Sequence, residues 1–398
     1  MTSTGDSERE QRAELLRSEL AAVVVRDERA EGWRKAVETV PRHRFTPGFY
    51  LPADKPSPRG FTWWEPVTAE LDPQRWLTAA YTNQTLVTQL DGDEPDWHKP
   101  EPQDGGSPTS SSTLPSLVLR MWEDADLAEG QDILEIGTGT GYSTALACER
   151  YGSDAVTSVE VDDHRVEQAA GALYGLGYTP DLAVADGLYG YWPSAPFDRI
   201  VAACSVRTIP RTWIAQMRPG GKILTTLGGW QFGSGRTLLT VHADGTADGP
   251  LLPGTVSFML ARPHQAPGTG NPAHWTSLLA DAHPATTGHH LDWLTAATEE
   301  AFFTRFLVQS ALPTSQITTV NGTTLLIDIA TGSVAELTPD GDRLRVRQAG
   351  PARLWDRAAE VLDAHTAAGH PGPEGFRLTV DAKGQYLQHP TMPAIRIG

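Results

Sequence analysis

The stretch Asp132-Ile133-Leu134-Glu135-Ile136-Gly137-Thr138-Gly139-Thr140-Gly141-Tyr142-Ser143-Thr144-Ala145 limits what this chain can fold into more than any other. An apolar run ends in three glycines at alternate positions, and a helix-forming segment follows at once. Strand, tight turn and helix start together make a ligand site. The glycines admit a ligand close to the backbone, and the first N–H groups of the helix lack partners within it. The spacing narrows the ligand. A dinucleotide site wants its third glycine at the sixth position, which here is Tyr142, and a phosphate-cradling loop needs a Lys-Ser/Thr pair that is missing. Glu135 stands just ahead of the turn, where a carboxylate repels a pyrophosphate and suits a cation. A nucleoside carrying an amino acid and a sulfonium, S-adenosylmethionine, fits that charge pattern better than NAD or ATP. The glycines alone would serve an ordinary βα turn equally well.

The residues that follow favour the ligand site. Asp154 to Glu160 reads as a second buried strand, and Glu160 ends it about 20 residues past the turn, where a strand-end carboxylate receives ribose hydroxyls. Val161 follows it. Ala183-Val184-Ala185-Asp186-Gly187 offers a third strand end whose acid would reach an adenine amino group. Phe197 to Ala203 is a fourth strand, and Arg218 to Leu224 a turn into a fifth. Strand ends in this order, with helical segments between them, predict an α/β, doubly wound, Rossmann-like sheet. Its cofactor would lie at the carboxyl edge, against Glu135, Gly137, Thr138, Gly139, Gly141, Tyr142, Glu160, Val161, Asp186 and Gly187.

Val40-Pro41-Arg42-His43-Arg44-Phe45, Ala80-Tyr81, Leu134 to Tyr142 and Ala185-Asp186-Gly187 together resemble the protein-L-isoaspartate O-methyltransferases, over about residues 30–228. Leu86-Val87-Thr88-Gln89, followed by a Ser-rich run, and a long C-terminal extension resemble a branch that accompanies the maturation of ribosomal peptides, the graspetides and lanthipeptides. The resemblance implies a methyltransferase sheet, S-adenosylmethionine as cofactor, and His43 and Asn83 at the substrate mouth. The repair family carries Thr-x-Ser-x-Pro where this chain has Ser111-Ser112-Thr113-Leu114-Pro115. Aligned on the proline, Thr113 takes the place of the serine thought to contact the reacting carboxylate. Ser111 and Ser112 are further candidates, although Ser and Thr also favour helix starts for capping alone. Asn83 stands where the repair family usually shows Asp, which weakens isoaspartate as the natural substrate.

Composition sets the outer limits. The net charge of −17 argues against a nucleic-acid binder, because phosphates would be repelled. No apolar run approaches a bilayer span and the N-terminus lacks a signal-peptide core, so neither a membrane nor a secretory destination is expected, and the cytoplasm is. The two cysteines, Cys148 and Cys204, read as buried small hydrophobes. The His289-His290 pair reads as surface, with no metal expected.

Along the chain, residues 1–40 read as an N-terminal helical segment. Residues up to about 7 are expected to be disordered, and Leu15, Leu16, Leu20, Val23 and Val24 to form one apolar face. Residues 41–228 would be the methyltransferase domain. Within it 46–80 reads as irregular covering, and the substrate loop 83–113 as a mobile lid in its polar part from Asp91. Residues 229–398 read as a β-rich α+β accessory domain with a turn at Asn321-Gly322, a strand from Asp342 and a helix from Arg353 to Ala368.

A carboxylate is already ionised at neutral pH, so methylating it requires orientation and a hydrogen-bond donor rather than a strong base. The expected function is therefore methyl transfer to an aspartate side chain of a ribosomally made peptide. A ligase would have macrocyclised that peptide beforehand, and the ester would then close to a succinimide. Isoaspartate repair is the alternative within the class; a non-catalytic peptide-binding module on the same scaffold is the alternative outside it.

Overall fold

The computed structural model describes residues 4–320, 323–341 and 343–398. The Asn321-Gly322 turn and Asp342 lie outside these. The chain divides into two compact units, Met1–Ala203 with Gln216–Arg218, and Cys204–Ala215 with Pro219–Gly398.

The first unit opens with helices α1 (Thr4–Val24), α2 (Glu28–Glu31) and α3 (Arg34–Thr39). Helix begins at Thr4, inside the segment expected to be disordered. Ala13, Leu16, Leu20, Ala21 and Val24 are buried, whereas Leu15 and Val23 are exposed. The buried set keeps the helical period, and the two exposed residues fall one position off it.

Residues 46–80 are irregular only in part, chiefly over 53–62 and 69–72. They form β1 (Gly48–Pro52), β2 (Trp63–Thr68) and α4 (Pro73–Ala80), the helix capped at its start by Asp72. Prolines 52 and 66 break the apolar alternation that would have marked the strands. Then come β3 (Leu86–Leu90), β4 (Gln103–Asp104) and β5 (Pro108–Ser112). These five strands pair antiparallel in the order β4-β2-β1-β3-β5. Much of the expected lid is thus built into a sheet. The segment before β4 is held as well, by the ion pair of Glu94 with Arg165 and a 2.8 Å bond from Gln168. A strand made of Thr and Ser carries no hydrophobic period to announce it.

The rest of the unit alternates helix and strand: α5 (Pro115–Asp124), β6 (Ile133–Ile136), α6 (Tyr142–Tyr151), β7 (Val156–Glu160), α7 (Asp163–Tyr174), β8 (Asp181–Val184) and β9 (Phe197–Val206), whose last three residues are counted with the second unit. The order β8-β7-β6-β9 is parallel throughout, the doubly wound sheet expected from the strand ends.

The second unit is β-rich. Strands at Ser234–Val241, Ala247–Leu252, Arg377–Asp381, Gly384–His389 and Met392–Ile397 pair antiparallel in that order. Ala285–Thr287, Arg343–Ala349, Ser333–Asp340, Thr323–Asp328 and Ser315–Val320 form a second sheet. Helices Glu299–Ala311 and Leu354–Ala367 accompany them. Cys148 is buried and Cys204 only half-buried. Among the described residues no helix is long and apolar enough to cross a membrane.

His43, expected at a substrate mouth, is instead interior. Its Nδ1 shares a 2.6 Å hydrogen bond with the Tyr81 hydroxyl, its ring meets Trp76 edge-on, and Glu10 of α1 lies 3.8 Å from Nε2. Burial holds the imidazole down to about 4, with Arg17, Arg44 and Arg9 adding to the effect and Glu10 opposing it. Between that value and the ordinary 6.5 the unfolded chain binds a proton that the folded chain refuses, so His43 removes stability as pH falls through this window. His43→Gln should recover about 2 kcal/mol of the stability lost between pH 6.5 and pH 4.5. Urea unfolding of both proteins across that range measures it; parallel curves would contradict the assignment.

Candidate active site

The glycine turn after β6 is shaped from below. Gly137 and Thr138 donate backbone bonds of 2.8 and 3.2 Å to the Val159 carbonyl, pinning the turn to the end of β7. Gly137, Gly139 and Gly141 have φ of +96°, +54° and +85°, in the left-handed region that glycine adopts freely. A Cβ on Gly141 would stand 3.0 Å from that of Ala169, so this glycine also lets α6 approach α7 closely. Gly187 serves the third strand end in the same way, since its Cβ would fall 2.3 Å from Ile136.

Beneath the turn lies a buried polar network. Glu135 is 1% exposed. One of its oxygens accepts from the hydroxyls of Thr144 at 2.5 Å and Ser158 at 2.8 Å, and Ser158 lies 2.7 Å from the Thr138 hydroxyl. The other oxygen has no hydrogen-bond partner. Burial raises the carboxyl above its usual range; the neighbouring hydroxyls counter this and Glu160 adds to it. Glu135 and Thr138 therefore hold the turn from inside. The Tyr142 ring is buried as well, packed on Phe45.

The acids at the other strand ends sit at the lip. Glu160 accepts from Gly139 N–H at 3.0 Å with one oxygen and from Val161 N–H at 2.8 Å with the other, leaving lone pairs for hydroxyls. Val161 is exposed beside it. Asp186 caps the turn at Gly187–Tyr189 through Leu188 N–H at 3.0 Å.

The hydroxyl segment comes to this turn. A Cβ on Gly139 would stand 3.5 Å from the Ser111 carbonyl and meet nothing else. The strand alternation then separates the candidates. Ser112 points inward, 2% exposed, its hydroxyl accepting from Arg42 Nε at 3.2 Å, so it is not available to a substrate. Ser111 is half-buried. Thr113 is half-buried at the end of the strand, with its carbonyl engaged by Arg42 and its hydroxyl in no hydrogen bond among the described residues. Asn83 caps α5, its Oδ1 accepting from Ser116 N–H at 3.0 Å, and Thr85 accepts from Leu114 N–H at 3.2 Å.

Sequence reasoning passed over Arg42, although it stands beside His43 in the same motif. It is wholly buried. It donates to the carbonyls of Ala80, Thr82, Gln84, Ser112 and Thr113 at 3.0–3.1 Å. The basic pair invited a search for a ligand, whereas one member serves the backbone.

S-adenosylmethionine fits these residues. Gly139 leaves open the space a Cβ would take, and Glu160 lines the lip for hydroxyls, while the buried Glu135 keeps the turn in shape from below. Gly139→Val should abolish binding of S-adenosylhomocysteine in calorimetry, because a branched side chain at this φ is strained and fills the gap to Ser111. Glu160→Ala should weaken binding by about tenfold with the melting temperature little changed. Unaltered affinity in either variant would displace the cofactor from this edge.

Comparison with known proteins agrees with this geometry. The family described as Protein-L-isoaspartate(D-aspartate) O-methyltransferase (PCMT) matches residues 93–234. Protein-L-isoaspartate O-methyltransferase 1 of Archaeoglobus fulgidus is 32% identical over 225 residues, 56% of this chain and 81% of that protein. The corresponding protein of Thermococcus onnurineus is 37% identical over 134 residues, 33% of this chain and 59% of its own length. The chain spans about half the length of several other curated relatives that it matches. A solved protein-L-isoaspartate O-methyltransferase shares the fold with a TM-score of 0.50 at 22% identity, over 95% of this chain and 99% of that one. On the strength of the Archaeoglobus relative, the glycine turn and the strand order, this chain belongs to the protein-L-isoaspartate O-methyltransferase family.

Proposed function

We propose that the chain is an S-adenosylmethionine-dependent carboxyl O-methyltransferase. Its substrate would be an aspartate side chain in a ribosomally made peptide that a ligase has already macrocyclised. The observation that carries the reading is the approach of the Ser111 carbonyl to Gly139, 3.5 Å from where a Cβ would stand, two residues ahead of Thr113. A hydroxyl there, and no lysine or arginine side chain in that segment, suits a carboxylate that must remain nucleophilic. The bound cofactor supplies an electrophilic methyl group. The Thr113 hydroxyl would donate to one carboxylate oxygen and leave the other free to attack, while the sheet excludes water beneath. Afterwards the backbone nitrogen following the aspartate attacks the ester carbonyl, loses its proton and expels methanol, leaving a succinimide.

Three features support aspartate in a restrained peptide. Thr replaces Ser at 113; Asn83 replaces the usual acid and is occupied in capping α5; and a β-rich second unit follows the methyltransferase sheet. A macrocycle presents one ordinary aspartate at reduced entropic cost, which a linear chain cannot do. Isoaspartate repair is the second reading, supported by the names of the relatives. A non-catalytic peptide-binding scaffold accounts less well for an intact glycine turn and ribose-side acid.

Offered the cyclised peptide, its linear form and an isoaspartyl peptide, the enzyme should methylate the cyclised form and leave it with a net loss of water by mass. Preference for the isoaspartyl peptide would restore repair, and no transfer to any of them would favour the binding scaffold. Thr113→Ala should lower turnover by about 10- to 100-fold and shift peptide affinity by less than about threefold. An affinity loss as large as the rate loss would place the hydroxyl in binding alone.

A further inference from the structure

We propose that Arg42 is the positioning residue of the methyl transfer, setting the Thr113 hydroxyl against the cofactor turn through the backbone without touching substrate. The inference rests on the reading of Thr113 as the group that meets the carboxylate.

Every nitrogen of the Arg42 guanidinium is engaged. Nε meets the Ser112 hydroxyl, one terminal nitrogen takes the carbonyls of Ala80 and Thr82, and the other takes those of Gln84, Ser112 and Thr113. None of these acceptors is a carboxylate. Burial lowers the group to about 10, so it stays charged at neutral pH. A fully buried cation met by carbonyl and hydroxyl dipoles and no carboxylate is costly, and that cost is met only while both chain segments are in place. Residues 80–84 and 112–113 are thus gathered around one charge. Asn83 and Thr85 complete the closure by capping the start of α5.

The same side chain reaches the cofactor side. The guanidinium carbon lies 5.6 Å from the ring centre of Tyr142, the first residue of α6 after the glycine turn. Arg42 therefore touches both the hydroxyl turn and the helix that follows the cofactor turn. Lysine keeps the charge, but its three donors on one atom cannot span acceptors spread along two segments.

The test uses Arg42→Lys with Arg199→Lys as a matched control. Arg199 is also a buried arginine on backbone carbonyls, those of Ala125 and Asp126, but it stands level with Ile133 at the opposite end of the sheet. Both variants should melt a few degrees below the wild type and bind S-adenosylhomocysteine within about threefold of it. Only Arg42→Lys should lose amide-exchange protection at Leu114 and Ser116 and lose about 30-fold or more in kcat with a smaller change in KM. Ser112→Ala, which removes one acceptor, should show both effects in weaker form and decides the matter if Arg42→Lys fails to fold. Wild-type exchange at residues 114–116 in the Arg42 variant, or an equal kcat loss in Arg199→Lys, would overturn the proposal. The exchange readout needs no turnover. Loosened amides in a protein whose wild type transfers no methyl group would therefore remove the functional reading, and the transfer role with it, whereas protected amides in an active enzyme would remove the clamp alone.

Discussion

A charged guanidinium without a carboxylate partner lies at the heart of the first unit, and the local chain path follows from it. Desolvating an arginine is affordable only where oxygens converge, and here they come from two segments some thirty residues apart in sequence. Helical caps and strand pairing are then arranged around that convergence. The order of dependence is physical: without the converging carbonyls the cation could not be buried, and without the cation the buried carbonyls of Ala80 and Ser112 would lose a donor.

The Glu135 network is the second such arrangement. A carboxylate below a glycine turn is stabilised by short hydroxyl bonds from the strand beside it and the helix above it. Thr138, Thr144 and Ser158 are each conformationally small choices, yet together they tie β6, β7 and α6 at the one point where all three meet the turn. The turn keeps its shape from below, so the groups at its lip remain available to a ligand.

The glycine turn, the acids at 160 and 186 and the parallel strand order were legible because each follows from a short local pattern. The N-terminal sheet was hidden because its strands carry prolines, tryptophans and hydroxyls in place of apolar alternation. Arg42 was hidden for a different reason. Its acceptors are backbone carbonyls, which every residue possesses, so nothing in the identity of residues 80–84 reveals that they face a cation. His43 misled in the opposite direction: a histidine between two arginines suggests an exposed basic turn, and only packing under α1 and α4 shows it neutral and enclosed. Alignment on Pro115 singled out Thr113, but Ser111 and Ser112 could not be separated from sequence because their chemistry is the same; the pleat separates them, burying Ser112 and leaving Ser111 half-buried.

That last point has an evolutionary consequence. In a run of five consecutive hydroxyl residues, Thr109 to Thr113, parity along the strand decides which one faces inward and which outward. Exchange of serine for threonine within the run leaves the parity intact, so drift between the two should be common among descendants of this chain. Gain or loss of a single residue reverses it, presenting the buried hydroxyl outward and turning the outward one toward the arginine. The segment is therefore permissive to spelling and intolerant of length, and lineages should differ in the composition of this run while keeping its count.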